Sequence, residues 1–150
     1  MDINAVQTRQ AHRLLQYGVL LILVAALLGL VIPLFAVPRL GLSAHLLGIL
    51  QGIFMLVIGL VWPRLNLGNA SLSVTFWLLI YGSLAALAAD LSAATWGAGN
   101  SMLPLAAGSA HGSDLQEGFI HLALRSAGVA LIAAFALIFW GLRGVPAEAG

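Results

Sequence analysis

Residues 14–37 read LLQYGVLLILVAALLGLVIPLFAV, without one charged side chain. Coiled as an α-helix at 1.5 Å per residue, such a stretch is about 36 Å long, enough to cross a hydrocarbon core of about 30 Å. Lipid offers no partner to backbone N–H and C=O groups, and a helix pairs them internally. Three more apolar runs follow, at residues 44–62, 72–96 and 118–142. Arg9 and Arg13 ahead of the first run imitate a signal peptide. That run is too long for one and no A-x-A site follows it, so it reads as a retained helix. The expectation is an all-α integral membrane bundle of four transmembrane helices, forming a single domain over residues 1–150.

Composition leaves little for anything else. Hydrophobic residues make up 61% of the chain and charged ones 7%, against about 25% charged in a soluble domain. The cations are all Arg and the net charge is +1, which gives no footprint for nucleic acid. The chain has no cysteine, so disulfides, thiolate metal sites and thiol catalysis drop out. No glycine loop of the phosphate-binding kind precedes a helix. The linkers at 38–41 and 63–69 are short; the third, from Gly97 to about Leu115, is rich in Gly, Ser and Pro. Ser113 and Gln116 fit a capping box that opens the last helix.

Four crossings put both ends of the chain on one side, with Arg9, Arg13, Arg64 and Arg143; Arg39 falls on the other. The positive-inside rule then places both termini in the cytoplasm, in a multi-pass protein of the inner (cytoplasmic) membrane. Tyr17, Trp62, Trp77 and Trp140 fall near the inner interface and Trp96 near the outer one, as an aromatic belt would.

Polar residues inside the runs need a reason, because a charge at the centre of a membrane helix costs about 2.5–3.5 kcal/mol on insertion scales. They are His45, Gln51, Asp90, His121 and Arg125. From the outer helix ends, His45 and Gln51 lie at depths of about 3 and 12 Å, Asp90 at about 10 Å, and His121 and Arg125 at about 7 and 13 Å. All fall in one half of the membrane, as a polar pocket between helices requires. Glu117, His121 and Arg125 are spaced as one ridge. Gly48, Gln51, Gly52, Met55 and Gly59 form a small-residue stripe on the second helix; Ser83, Ala86, Asp90 and Gly97 form one on the third. Both stripes suit close packing. His45 and Gln51 stand about 120° apart on their helix, which fits a pocket at a subunit interface. Plainer roles exist for each. Asp90 and Arg125 suit a buried ion pair that fixes register. His121 could donate to Glu117 or a carbonyl, His111 suits a solvated loop, and His12 suits an interfacial anchor.

The segment Arg39-Leu40-Gly41-Leu42-Ser43-Ala44-His45-Leu46-Leu47-Gly48, with Trp96-Gly97-Ala98-Gly99 and the stretch Met102 to Gly108, resembles the hydroxylaminobenzene mutase family. These are small four-helix membrane proteins that rearrange an arylhydroxylamine to an aminophenol. The resemblance spans nearly the whole chain, including Arg13-Leu14-Leu15 and Trp140-Gly141-Leu142. The spacing is also similar to that of styrene oxide isomerase, a trimer that holds haem b through a His at the start of its second helix. His45 occupies that place. The sequence departs from these patterns at Gln51, where both families have Asn, at Ala86, where both have Asn, and at Asp90, where the isomerase has Tyr.

The resemblance implies an isomerase, or mutase, acting on a small apolar aromatic that partitions into the lipid bilayer. It implies haem b as Lewis acid, with His45 as metal ligand and with Arg125 and His121 beside the cofactor. It implies catalytic roles for Gln51, which would position the substrate, for Asp90, which would move a proton or stabilise a cation, and for Arg125, which would keep Asp90 ionised or bind a propionate. A homotrimer is implied too. Other readings stand beside it: a haem-free structural or transport module, an aryl epoxide isomerase, and an electron carrier with His45 and His121 as paired ligands. The short loops offer an electron carrier little partner surface.

Overall fold

The computed structural model describes residues 3–143. Its elements are α1 (Ile3–Leu30), α2 (Pro38–Val61), α3 (Asn69–Trp96), a single turn α4 (Pro104–Ala107) and α5 (Asp114–Leu142). No strand occurs among the described residues. The four long helices are each long and apolar enough to cross a membrane. The ends of the chain lie outside the described residues.

Two helices begin well before their apolar runs. α1 starts at Ile3 instead of residue 14, because Gln7 and Ala11 are already buried against the end of α2. The Gln7 amide donates to the carbonyls of Trp62 and Leu65 at 2.7 and 3.0 Å. α1 then stops at Leu30, short of Val37, and a 3-10 turn at Ile32–Leu34 carries Pro33. Proline lacks an N–H and disfavours helix in the residue before it, so the first apolar run cannot continue as one helix. α2 begins at Pro38 instead of Ala44, with proline in the first turn, where its missing N–H is harmless. α3 ends on Gly97, whose φ of 66° puts it in the left-handed region that glycine enters without strain. The capping box opens α5: Ser113 Oγ accepts from Gln116 N and Gln116 Oε1 accepts from Ser113 N.

α1 packs chiefly on α2 and α5 on α3, and α2 against α3 joins the two pairs. The glycine stripe of α2 is the seam with α1. A methyl group at Gly52 would lie 2.5 Å from Ile22 Cγ1, and one at Gly48 would lie 2.8 Å from Ala25 Cβ, so only hydrogen lets the backbones approach this closely. One apolar cluster fills one end of the bundle with Leu14, Trp62, Leu72 and Phe76 and continues along its axis through Met55 and Leu79 to Leu87. Trp62 is fully buried there, so it belongs to the core and not to an interfacial belt; Trp77, Trp96 and Trp140 are exposed. Hydrogen bonds from Gln7 to Trp62 and from Asn66 to Gly141 bring the start of α1 and the ends of α2 and α5 to this same end. A second cluster, with Leu40, Ala94, Ala98, Ala107 and Ile120, closes the opposite end beneath the 97–113 linker.

Glu117 organises that linker. Its carboxylate accepts from the backbone N–H groups of Gly99, Asn100, Ser101 and Gly112 at 2.8–3.4 Å, and from Ser101 Oγ at 3.1 Å. His111 Nδ1 lies 3.6 Å from the same carboxylate, although its ring is largely exposed.

Candidate functional site

Because α2 starts at Pro38, His45 lies about 10 Å along it, near two turns, and not at its first residue. The imidazole rests on α1. Its Nδ1 is 2.7 Å from the carbonyl oxygen of Ala25. A carbonyl only accepts, so Nδ1 carries a proton, and in the neutral ring the lone pair is on Nε2. Nε2 has no hydrogen-bond partner among the described residues. Gly29 makes the space: a methyl there would lie 2.9 Å from both Cε1 and Nδ1 of the ring. A ring held by one nitrogen on a backbone carbonyl, with the other nitrogen free, is the arrangement of a histidine that ligates a metal. The chemistry of His45 therefore fits the ligand of a haem iron, which it would hold through Nε2. No cluster of three or more metal-ligating side chains exists among the described residues.

Gln51 faces the other way. It lies about 20 Å along α2, near mid-helix, and is 5% exposed. Neither its Oε1 nor its Nε2 has a hydrogen-bond partner. It borders a cavity of about 130 Å³ between α2, α3 and α5. Ser83 is the other polar side chain in the wall, and the rest is apolar, including Phe54, Met55, Leu79 and Phe135. An engineered apolar cavity of about 150 Å³ takes up benzene, so this space suits one aromatic ring. The amide gives that ring's polar substituent both a donor and an acceptor.

Asp90 does not meet Arg125. Its Oδ2 accepts from Ser43 Oγ at 2.9 Å, and the side chain is 3% exposed between α2 and α3. Arg125 is exposed and forms no ion pair among the described residues. The reason is rotational. Ala127, Ala130 and Ala134 are the buried face of α5, and Arg125 stands about 160° from Ala127 on the helix. The ridge from Glu117 drifts about 40° at each step, so it runs from buried Glu117 through half-buried His121 to exposed Arg125. Glu117 turns to the linker amides, so His121 does not pair with it.

The pocket expected from depth is thus divided. His45 faces α1, Asp90 lies between α2 and α3, Gln51 faces the cavity, and His121 with Arg125 sits on α5. α5 makes no substantial contact with α1, on which the His45 ring rests, so His45 and His121 do not converge on one ligand within the chain. Asp90 lies about two turns, near 10 Å, beyond Ser83 on α3, outside the cavity wall. Ser43, Ser83, Gly29 and Glu117 carry contacts that the spacing of polar residues did not single out for these roles. The run of small residues around Ser83 and Asp90 was the available signal for Ser83.

A family model described as styrene oxide isomerase matches residues 10–143. Among curated proteins, hydroxylaminobenzene mutase HabB of Ectopseudomonas oleovorans is 46% identical over 92% of this chain and 84% of its own length. Hydroxylaminobenzene mutase HabA of the same organism is 38% identical over 83% of this chain and 93% of its own. No solved structure matches. With the family model covering nearly the whole bundle and the mutases aligned over most of it, the chain belongs to the styrene oxide isomerase family.

Proposed function

We propose that this protein is a membrane-embedded isomerase that rearranges an arylhydroxylamine to an aminophenol with haem b held at His45. One observation carries the reading: an unpartnered amide, Gln51, buried in an apolar cavity the size of a single aromatic ring. The names of the relatives supply the reaction class. His45 would hold the haem through Nε2, Arg125 and His121 of a neighbouring copy in a homotrimer would meet its carboxylates, and, because His45 and Gln51 of one chain face apart, the group held by one copy would supply the Lewis acid to the Gln51 cavity of its neighbour.

The residues of the chain do the rest. The cavity takes the ring out of lipid and keeps water away from it. Gln51 fixes the hydroxylamino group with its amide, and Ser83 adds a hydroxyl to the same wall. The rearrangement breaks the N–O bond, forms a C–O bond at a ring carbon and transfers that carbon's hydrogen as a proton to nitrogen; it consumes no reductant, so no nucleotide site is needed. Asp90 is beyond hydrogen-bond reach of the cavity, and a proton transfer needs a heavy-atom distance of about 2.6–3.2 Å. Ionised, it would act through its field instead: at about 10 Å and an effective dielectric of about 20, a unit charge stabilises a developing ring cation by about 1.7 kcal/mol. Ser43 holds it in place. The arginine distribution supports an orientation with the Trp62 end of the bundle on the cytoplasmic side of the inner membrane.

The test is an absorption spectrum of the detergent-purified protein before and after dithionite, followed by phenylhydroxylamine turnover in liposomes. A Soret band that disappears in His45→Ala while the bundle stays folded, together with aminophenol formation, supports the proposal. A full haem complement in that variant overturns the ligand, and haem-loaded protein that leaves phenylhydroxylamine unchanged overturns the reaction. An aryl epoxide isomerase is the second reading, favoured by the description of the family model; styrene oxide in the same assay decides it.

A further inference from the structure

Neither end of the bundle offers a way into the Gln51 cavity. Trp62, Leu72 and Phe76 fill one end, and Leu40, Ala98 and Ile120 the other. The deep wall is tight as well: Met55, Leu79 and Ser83 are all buried. The side between α2 and α5 is different. Each of these helices packs on α3, but they make no substantial contact with one another. Phe54 of α2 and Phe135 of α5 close the gap between them. Their ring centroids are 6.3 Å apart and their planes meet at 80°. Both line the cavity, and both are also 46% and 43% exposed, respectively, on the outer face of the bundle. Leu50 of α2, 50% exposed, also borders the cavity, but the edge-to-face pair is the contact that bridges α2 and α5 at its outer side, and exposed side chains change rotamer quickly.

We propose that the α2–α5 cleft is a lateral door from the bilayer to the Gln51 cavity, with Phe54 and Phe135 as its two leaves and as the residues that limit the substrate to a single aromatic ring. The proposal rests on the reading of this cavity as the substrate site. An apolar aromatic concentrates in lipid, so an entrance facing lipid meets it at its highest concentration. The ring passes when the two phenyl groups part, and its polar substituent then meets Gln51. With both phenyl groups closed behind it, a cavity of about 130 Å³ has no room for a fused second ring.

The chain has no cysteine, so the double variant Phe54→Cys/Phe135→Cys carries the sole thiols. In nanodiscs these are bridged by a short bifunctional methanethiosulfonate, which a reductant releases. Fluorobenzene exchange, followed by fluorine NMR, and phenylhydroxylamine turnover are read in both states. The expected result is a fall of about tenfold or more in both on bridging, recovered on reduction, with no effect of the reagent on either single variant. Exchange that is as fast when bridged as when reduced overturns the door, as does absence of fluorobenzene binding to the unbridged protein. Gated exchange without turnover in any state leaves the door standing and sinks the mutase reading; turnover indifferent to bridging does the reverse. For the size limit, Phe135→Ala should raise the kcat/KM of naphthylhydroxylamine relative to phenylhydroxylamine by about tenfold or more. Phe54→Ala provides the same test if that variant does not fold, and an unchanged ratio in the folded variant overturns the limit.

Discussion

A leucine at position 51 would suit the fold better than the glutamine that is there. An unsatisfied buried polar group costs about 1–3 kcal/mol, and Gln51 leaves both ends of its amide unpaired in an apolar wall. Gln51→Leu should therefore raise the unfolding temperature in detergent while cutting kcat/KM for phenylhydroxylamine about 100-fold, because the substrate loses the group that orients it. A variant that is less stable and fully active would show that the amide has a structural partner and no substrate role. Polar positions such as this one were legible in the sequence because they interrupt apolar runs. Their partners were not, since partnership depends on rotation about a helix. The Asp90 carboxylate meets Ser43 on the neighbouring helix, whereas the charge that best matched it in type, Arg125, points away. His45 shows the same limit: depth and spacing marked the ring, but its anchor is the backbone carbonyl of Ala25, which no side-chain pattern records.

Among the elements, the four spans were legible as apolar runs, and their boundaries were not. α1 continues through the polar residues 3–13 because tertiary contacts at Gln7 and Ala11 extend it, and Pro33 ends it inside the run. That early end lets α2 begin at Pro38, and the earlier start sets His45 about two turns deep. The 97–113 linker, whose sequence shows turn residues but not what holds them, is ordered around a single carboxylate. Every group around Glu117 in its hydrogen bonds is a donor, which suits an ionised, acceptor-only side chain. Glu117→Gln turns an NH₂ toward those donors and loses about half the acceptor capacity. It should lower stability by about 2 kcal/mol, and the amides of Gly99 and Gly112 should lose hydrogen-exchange protection ahead of the rest of the bundle. Protection that is unchanged there would assign the order of the linker to the packing of Ala98 and Ala107 instead.

For the molecule as a whole, the unresolved charge is Arg125. It lies about 16 Å from the start of α5, in a helix long enough to span a membrane, on the face that turns away from α3. Facing lipid there, it costs about 2.5–3.5 kcal/mol on insertion scales, and no ion pair among the described residues offsets that. His121 is one turn nearer the linker on the same ridge, at about the depth of His45. A neighbouring copy of the chain, in the homotrimer proposed above, would cover Arg125 and bring it toward a carboxylate-bearing group at His45. Arg125→Leu separates this from a lipid-facing role. If lipid covers the residue, leucine stabilises the protein and leaves its mass in detergent unchanged. If a neighbour covers it, light scattering coupled to size exclusion should show the trimer loosening toward smaller species, and the Soret band should weaken with it although His45 is intact. A stable assembly with an unaltered Soret band would remove Arg125 from both the interface and the cofactor site.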